Sequence, residues 1–334
     1  MKKLWLGSAI LLAAMPALGQ SVDELKRQLA DKEAETQRLR ERIQVLEREV
    51  TPRRIKQAKA REALPEDSQE AREDSNRALE RALVRESGLL LPARRFEVEP
   101  NVVYSHSTAS ANNFRRDAYG PGLALRAGLP WRSQIDVSVP YVFERRRSAG
   151  IKTDDNGIGD FTLGVSHQIL NERASVPGVI GSLSYTASTG KNTLYENATP
   201  VALGSGFNSL QASLTAVKRV DPLVFFGSYS FAHAFSENRG GAKVELGNSH
   251  GFRLGTALAT GPDTSLRAAF NVTYYDTTKV GGVDIAGSDD PAALLEFGSS
   301  VVLSERTALD VLVGAGLTSN APKYRVTVAL PIRF

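Results

Sequence analysis

Two periods of hydrophobic and polar residues divide the chain. From Arg94 to the C-terminus apolar and polar side chains alternate, the two-residue period of strands whose faces meet different surroundings. Phe96, Val98, Val102 and Tyr104 oppose Glu97, Glu99, Asn101 and Ser105. Ile135, Val137, Val139, Tyr141 and Phe143 oppose Gln134, Asp136, Ser138 and Glu144. The same alternation runs from Ser265 to Tyr274 and from Tyr324 to Phe334. Twelve such segments are expected, near 94–106, 116–128, 133–145, 158–170, 176–188, 208–219, 223–235, 249–260, 264–276, 292–303, 306–317 and 323–334. Each is long enough to cross a bilayer when tilted, which takes ~9–11 residues.

The connections alternate in length. Gly128–Arg132, Asn171–Ser175, Val220–Pro222, Gly261–Asp263 and Ser304–Glu305 are tight. Ser107–Arg115, Arg146–Gly157, Thr189–Phe207, Ser236–Asn248 and Thr277–Pro291 are longer. Short turns on one side and long loops on the other are the habit of transmembrane barrels, and an even strand count returns both ends to the short-turn side. Aromatic residues such as Trp131, Tyr141, Tyr185 and Tyr229 fall near segment ends, as interfacial girdles require. A soluble β-sandwich with an apolar edge strand is the alternative, and it leaves the loop asymmetry and the outward belt without a reason. Residues 93–334 are therefore expected to form an all-β transmembrane barrel of about twelve antiparallel strands.

The opposite parity carries charges of both signs: Glu97, Arg126, Asp136, Glu144, Asp160, Arg253, Arg267, Glu296, Asp310, Arg325 and Arg333. A charge at membrane depth needs water or a partner, so these are expected to face a lumen. Twelve strands enclose more than the ~8-strand barrel that side chains fill. Val142, Ile180, Phe226 and Leu294 are available to line an apolar stretch of it.

The period changes before Arg94. With Val22 at heptad position a, the a and d positions from Val22 to Val50 are Val22, Leu25, Leu29, Leu39, Ile43, Leu46 and Val50, interrupted by Lys32 and Thr36. So narrow a stripe cannot bury itself and calls for partner helices. Arg42-Ile43-Gln44-Val45-Leu46-Glu47 follows a pattern common in three-stranded coils, with Arg42 at g reaching across to a Glu47 at e of the next helix. A homotrimer is expected of residues 20–50, with a dimer or a single solvated helix as alternatives. Pro52 ends the coil, and residues 51–66 form a basic linker. Asp67 with Glu70 makes a capping box for a second helix, on which Ala71, Ala78, Leu79, Ala82 and Leu83 share a face. Leu89, Leu90 and Leu91 follow as an apolar tether. Residues 67–92 are so placed that they plug the barrel mouth or lie beside it.

The first residues read as an export signal. Lys2 and Lys3 precede an apolar run to Pro16, and Ala17-Leu18-Gly19 offers the small residues of a cleavage site, with cleavage expected before Gln20. An uncleaved anchor is the alternative, but the run is shorter than the ~20 residues that span a bilayer. Among the 334 residues there is no cysteine, so no disulfide framework and no lipidated cysteine are available. The formal charge of +4 drops to about +2 without the leader, too little to argue for nucleic acid.

Enzymatic readings find little. His106, His167, His233 and His250 lie on different segments, and no catalytic constellation or cofactor fingerprint is present. Asp154-Asp155-Asn156-Gly157-Ile158-Gly159-Asp160 has the look of a calcium loop but lacks the later Glu, so it is expected to be an outer loop entering a strand. No metal site is expected.

Several short stretches carry a family likeness. Leu90-Leu91-Pro92 leads into Phe96-Glu97-Val98-Glu99-Pro100 and Val103-Tyr104-Ser105, and Gly157-Ile158-Gly159-Asp160 precedes a strand. Thr189-Gly190-Lys191, Gly204-Ser205-Gly206-Phe207, Asp221-Pro222-Leu223-Val224-Phe225-Phe226-Gly227-Ser228 and Ala321-Pro322 complete the set. With the order of parts, they resemble the functional-amyloid (Fap) secretion channels of bacterial outer membranes, within the broader barrels related to phenol-degradation (MetA-pathway) transporters. The resemblance implies a trimer with a periplasmic coiled coil, a helical plug at Ala71 to Leu91 and export of unfolded amyloid subunits. Uptake of small aromatic or hydrophobic compounds and a structural envelope tether are the other readings. Outer-membrane lipid, identical subunits and a secreted cargo are the partners implied.

Overall fold

A computed structural model describes residues 89–109, 114–191, 201–220, 223–261 and 263–334, with Glu35, Gln37, Arg38 and Glu41. Those four belong to a separate N-terminal unit, 1–69, and are helical. The seam residues Val22, Leu25, Leu29, Leu39, Arg42, Ile43, Leu46, Glu47 and Val50 lie outside the described residues, as do the leader and the capped helix with Ala71, Ala78, Leu79, Ala82 and Leu83.

The second unit is a closed antiparallel barrel of twelve strands. They are β1 (Phe96–Ala109), β2 (Phe114–Leu129), β3 (Ser133–Ser148), β4 (Ile151–Ile158 and Phe161–Leu170), β5 (Gly178–Ala187) and β6 (Ser209–Val220). Then follow β7 (Leu223–Ala234), β8 (Ser249–Ala259), β9 (Thr264–Tyr275), β10 (Ala292–Val302), β11 (Ala308–Gly316) and β12 (Tyr324–Ala329 and Ile332–Arg333). Every strand pairs with its neighbours in sequence, and β12 pairs with β1 through Asn101↔Ala329 to His106↔Tyr324 and Glu97↔Arg333. Closure satisfies the edges that an open sheet would expose.

The two interruptions have local causes. In β12, Pro331 has no N–H to give the ladder. In β4 the break falls at Gly159-Asp160, where Asp160 turns to serve a loop.

One expectation needs correction. Arg146–Gly157 is not a loop: Ile151–Ile158 is a strand that pairs with Tyr141–Ser148, and the hairpin turns at Ala149-Gly150 with both φ angles positive. Two consecutive residues of positive φ make the turn whose twist matches the flanking strands. Asp154 to Asn156 are thus in a ladder, and the calcium-loop likeness ends there. The long connections after β7 and β9 are structured as well. Glu237–Arg239 with Ala242–Glu245, and Lys279–Val280 with Val283–Asp284, are hairpins turning at Gly240-Gly241 and Gly281-Gly282. The two pair through Val244↔Val280 into a four-stranded sheet.

The alternation appears as an inside-out distribution of side chains. Large apolar residues lie exposed on the outer face of every strand, among them Leu123, Leu125, Val139, Leu163, Leu183, Leu214, Phe225, Leu254, Phe270, Phe297 and Val328. Charged residues are buried on the other face, including Glu97, Glu99, Glu144, Arg267, Glu296 and Asp310. Such an arrangement is unfavourable in water and suits a hydrocarbon surround with a polar interior. Trp131, 86% exposed in the β2–β3 turn, stands at the short-turn end where an interfacial anchor belongs.

Candidate functional site

The inward face gathers its polar groups in clusters. At the short-turn end Glu97 is the hub. Arg126 Nη1 donates to Glu97 Oε1 at 2.5 Å and to Glu99 Oε2 at 2.8 Å. From the opposite side of the seam Arg333 Nε donates to Glu97 Oε2 at 2.8 Å. The register makes this possible, since Glu97 is abreast of Arg126 on β2 and of Arg333 on β12. Two cations on one carboxylate, all drawn from water, need this geometry to offset their desolvation.

Halfway round, Glu296 Oε2 accepts from Arg253 Nη2 at 3.1 Å and Asn271 Nδ2 at 2.5 Å. The Arg253 guanidinium also lies 5.7 Å from the Phe226 ring centroid, within cation–π reach. Near the long-loop end Glu144 accepts from Arg116 at 2.7 Å and Arg146 at 2.5 Å. Large inward side chains lie flat over a glycine on the next strand. Asp136 faces Gly164 and Arg267 faces Gly298, and a Cβ at either glycine would stand 2.4 Å from the neighbouring side chain. Asp310 is buried, whereas Arg325 is exposed. Of the inward residues named from the alternation, Glu97, Arg126 and Arg333, then Arg253 and Glu296, then Glu144 fall into three ion-paired clusters.

Asp160 has a different task. Its Oδ1 accepts from Gly190 N at 3.0 Å, and its Oδ2 accepts from Ser205 N at 2.6 Å and Ser205 Oγ at 2.8 Å. One carboxylate therefore holds both ends of the connection between β5 and β6. Lys191 Nζ adds a bond to Asp155 Oδ1 at 3.1 Å, and Thr189 Oγ1 to the Gly159 carbonyl at 3.0 Å. So tied, the connection buries Val201, Leu203 and Phe207. The Arg239 guanidinium lies 4.4 Å from the Phe207 ring centroid. Against this folded loop is a vestibule of about 310 Å³. Phe207, Leu246 and Tyr275 give it an apolar body, and Ser205, Ser209, Ser249, Thr278 and Ser288 give it hydroxyls.

The short-turn mouth is crossed by the chain that leads into β1. Leu91 is buried, and its N–H donates to Gln134 Oε1 at 3.0 Å. Leu89 packs on an apolar cluster of Val217, Val224, Phe226, Ala257 and Ala269 from β6 to β9. Gln134 belongs to β3, so Leu89–Pro92 passes between separate parts of the wall. Gly128 permits the crossing: a Cβ there would stand 2.0 Å from the Pro92 carbonyl oxygen. Leu89, Leu90 and Leu91 are the part of the expected plug segment that is described. Sequence patterning found neither the vestibule nor the Asp160 latch. Each joins residues distant in the chain, and only Gly204-Ser205-Gly206 hinted at a constrained loop. Among the described residues no cluster of potential metal ligands occurs.

Fold and interior together define a closed barrel of the bacterial outer-membrane kind. Within that kind, the COG4313 outer membrane channel from Pseudomonas putida F1 superposes with a TM-score of 0.63 at 19% identity, over 74% of this chain and 97% of that one. This likeness is one of fold. More distant barrels include the translocator domain of autotransporter NalP from Neisseria meningitidis, with a TM-score of 0.43, 10% identity, and 80% of this chain and 97% of that one covered. The CymD monoaromatic hydrocarbon channel matches with a TM-score of 0.36 and 10% identity, over 73% of this chain and 88% of that one. No family model matches the chain.

Proposed function

We propose that this chain is an outer-membrane channel for small molecules with an apolar or aromatic body and a polar substituent. The observation that carries the reading is the vestibule at the long-loop end, where aromatic side chains and hydroxyls line one space of about 310 Å³. That is the low end of the ~300–1,000 Å³ usual for small-ligand pockets, the size for a compact, ring-sized solute. An aromatic solute gains stacking from Phe207 and Tyr275 and hydrogen bonds from the serines. In this reading the long loops face outward and the short turns face the periplasm. Residues 20–50 associate as a trimer there, and residues 67–92 gate the lumen.

Export of unfolded amyloid subunits is the weaker reading of the same barrel. A translocating polypeptide needs a continuous wide passage, and the described lumen is crossed at one end by Leu89–Pro92 and narrowed at the other by the tied β5–β6 connection. Its support is the buried Leu91, which gives a removable plug a place to hold.

Full-length protein in proteoliposomes distinguishes the readings. Entry of a labelled single-ring phenol is expected to exceed that into empty vesicles, and Phe207→Ala is expected to slow it. An unfolded polypeptide is expected to stay outside. Phenol entry no faster than into empty vesicles would overturn the small-molecule reading, and passage of the polypeptide would restore export.

A further inference from the structure

The inner and outer faces of the β2–β4 hairpins treat their cations differently. Inward, Arg116 and Arg146 share Glu144. Outward, the register sets Arg115 abreast of Arg147, and Arg147 abreast of Lys152. Three cations thus stand in one row across three adjacent strands, at ~4.8 Å per strand. Like charges directly opposite destabilise a sheet. All three side chains are exposed, and none forms a hydrogen bond or ion pair with a described residue. In the next row, Asp117↔Arg145↔Asp154, the Asp117 carboxylate is taken up by β1, accepting from Tyr104 Oη at 2.9 Å with His106 Nδ1 at 2.7 Å, and Arg145 stands between the two acidic positions.

The depth of this row is set by the rings beneath it. Tyr119 and Phe143 stack at 5.0 Å between centroids, four residues below Arg115 and Arg147 on the same face. Tyr141 adds a third ring. Four residues of tilted strand rise ~10 Å along the membrane normal. If the rings mark the apolar boundary, the cations lie in the headgroup layer. Their parity turns them away from the lumen, so they cannot serve as a funnel for a solute.

We propose that Arg115, Arg147 and Lys152 bind the phosphate groups of a phosphorylated glycolipid of the outer leaflet. Guanidinium forks match phosphate oxygens two at a time, and a bound phosphate converts the repelling row into a bridged one. The glycolipid's acyl chains then lie along the exposed apolar residues below. This inference rests on the membrane reading above, with the long loops outward.

The test uses full-length protein in detergent, with R115Q/R147Q/K152Q beside it and K243Q/K279Q as a loop control. Purified lipopolysaccharide is titrated and binding is followed by native mass spectrometry and by the unfolding temperature. The unaltered protein and the control are expected to bind alike, and the triple variant to bind at least about tenfold more weakly. Dephosphorylated lipopolysaccharide is expected to lose the same margin, and free inorganic phosphate to give no stabilisation. Equal binding by the triple variant, equal binding of the dephosphorylated lipid, or stabilisation by free phosphate alone would each overturn the assignment. A protein that stays monodisperse without detergent would instead sink the membrane reading itself, so the two failures are separable.

Discussion

The two ends of the barrel are built by different physics. At the short-turn end the structure is built from convergent, largely buried groups: Glu97 with Arg126 and Arg333, the Leu91–Gln134 bond, and an apolar cluster that receives Leu89. At the long-loop end it is built from connections: a loop tied by Asp160, and two hairpins joined into a small sheet whose turns and charged pairs are exposed. Charge removed from a buried cluster leaves partners stranded at low dielectric, whereas charge removed from an exposed hairpin leaves them in water. The short-turn end is therefore expected to govern stability, and the long-loop end to govern what enters.

The largest effect is expected from Glu97. Its side chain is 2% exposed and holds Arg126 and Arg333 across the seam where the barrel closes. Glu97→Ala leaves Arg333 without this carboxylate and Arg126 with Glu99 alone of its two. Breaking a buried pair from one side costs about 3–5 kcal/mol. Urea unfolding of protein in lipid vesicles, followed by tryptophan fluorescence, measures it. A loss below about 1 kcal/mol would show that the cluster is hydrated and that the contrast between the ends is false.

A smaller effect is expected where the strap crosses the wall. Gly128→Val puts branched carbon where the Pro92 and Leu91 carbonyl oxygens lie, 2.0 and 2.7 Å from an added Cβ. The backbone of the strap must move, at about 1–3 kcal/mol. The informative reading is electrical: single-channel conductance is expected to rise as Leu89 and Leu91 leave the mouth. Unchanged conductance with a stable barrel would mean that the strap is no part of the gate.

The strands were open to reading because lipid on one side and polar groups on the other impose a strict alternation, as Leu266, Phe270 and Tyr274 against Arg267 and Asn271 illustrate. Where the wall rises past the lipid that constraint ends. Ile151–Ile158 is polar on both faces, so alternation did not reveal it, although Ala149-Gly150 between Arg147 and Lys152 carried a hairpin signal. Gly240-Gly241 and Gly281-Gly282 signalled turns in the same way, but the pairing of Val244 with Val280 joins two loops and leaves no periodic trace. The interior was harder still. Glu97 and Arg333 are 236 positions apart and meet only once the barrel closes. Parity told which face they share and nothing about who pairs with whom.

The smallest effect belongs to the exposed loop sheet, and it sharpens the contrast by being small. Lys243 Nζ binds the Glu245 carboxylate on a short hairpin outside the barrel wall. The hydrogen bond from Lys243, and then its charge, hold the Glu245 pKa below the ordinary glutamate value. A depressed carboxylate pKa stabilises the folded form above the unfolded pKa, and that contribution disappears as pH falls through the folded pKa. Because the carboxylate is open to water, Lys243→Ala is expected to leave the unfolding midpoint of the barrel unchanged at neutral pH. Only the Glu245 titration is expected to move, upward toward the ordinary value, as followed by carboxyl carbon NMR in detergent. A clear fall in the barrel's unfolding midpoint would show that the loop sheet bears on global stability, and the division between a stabilising end and an admitting end would then have to be redrawn.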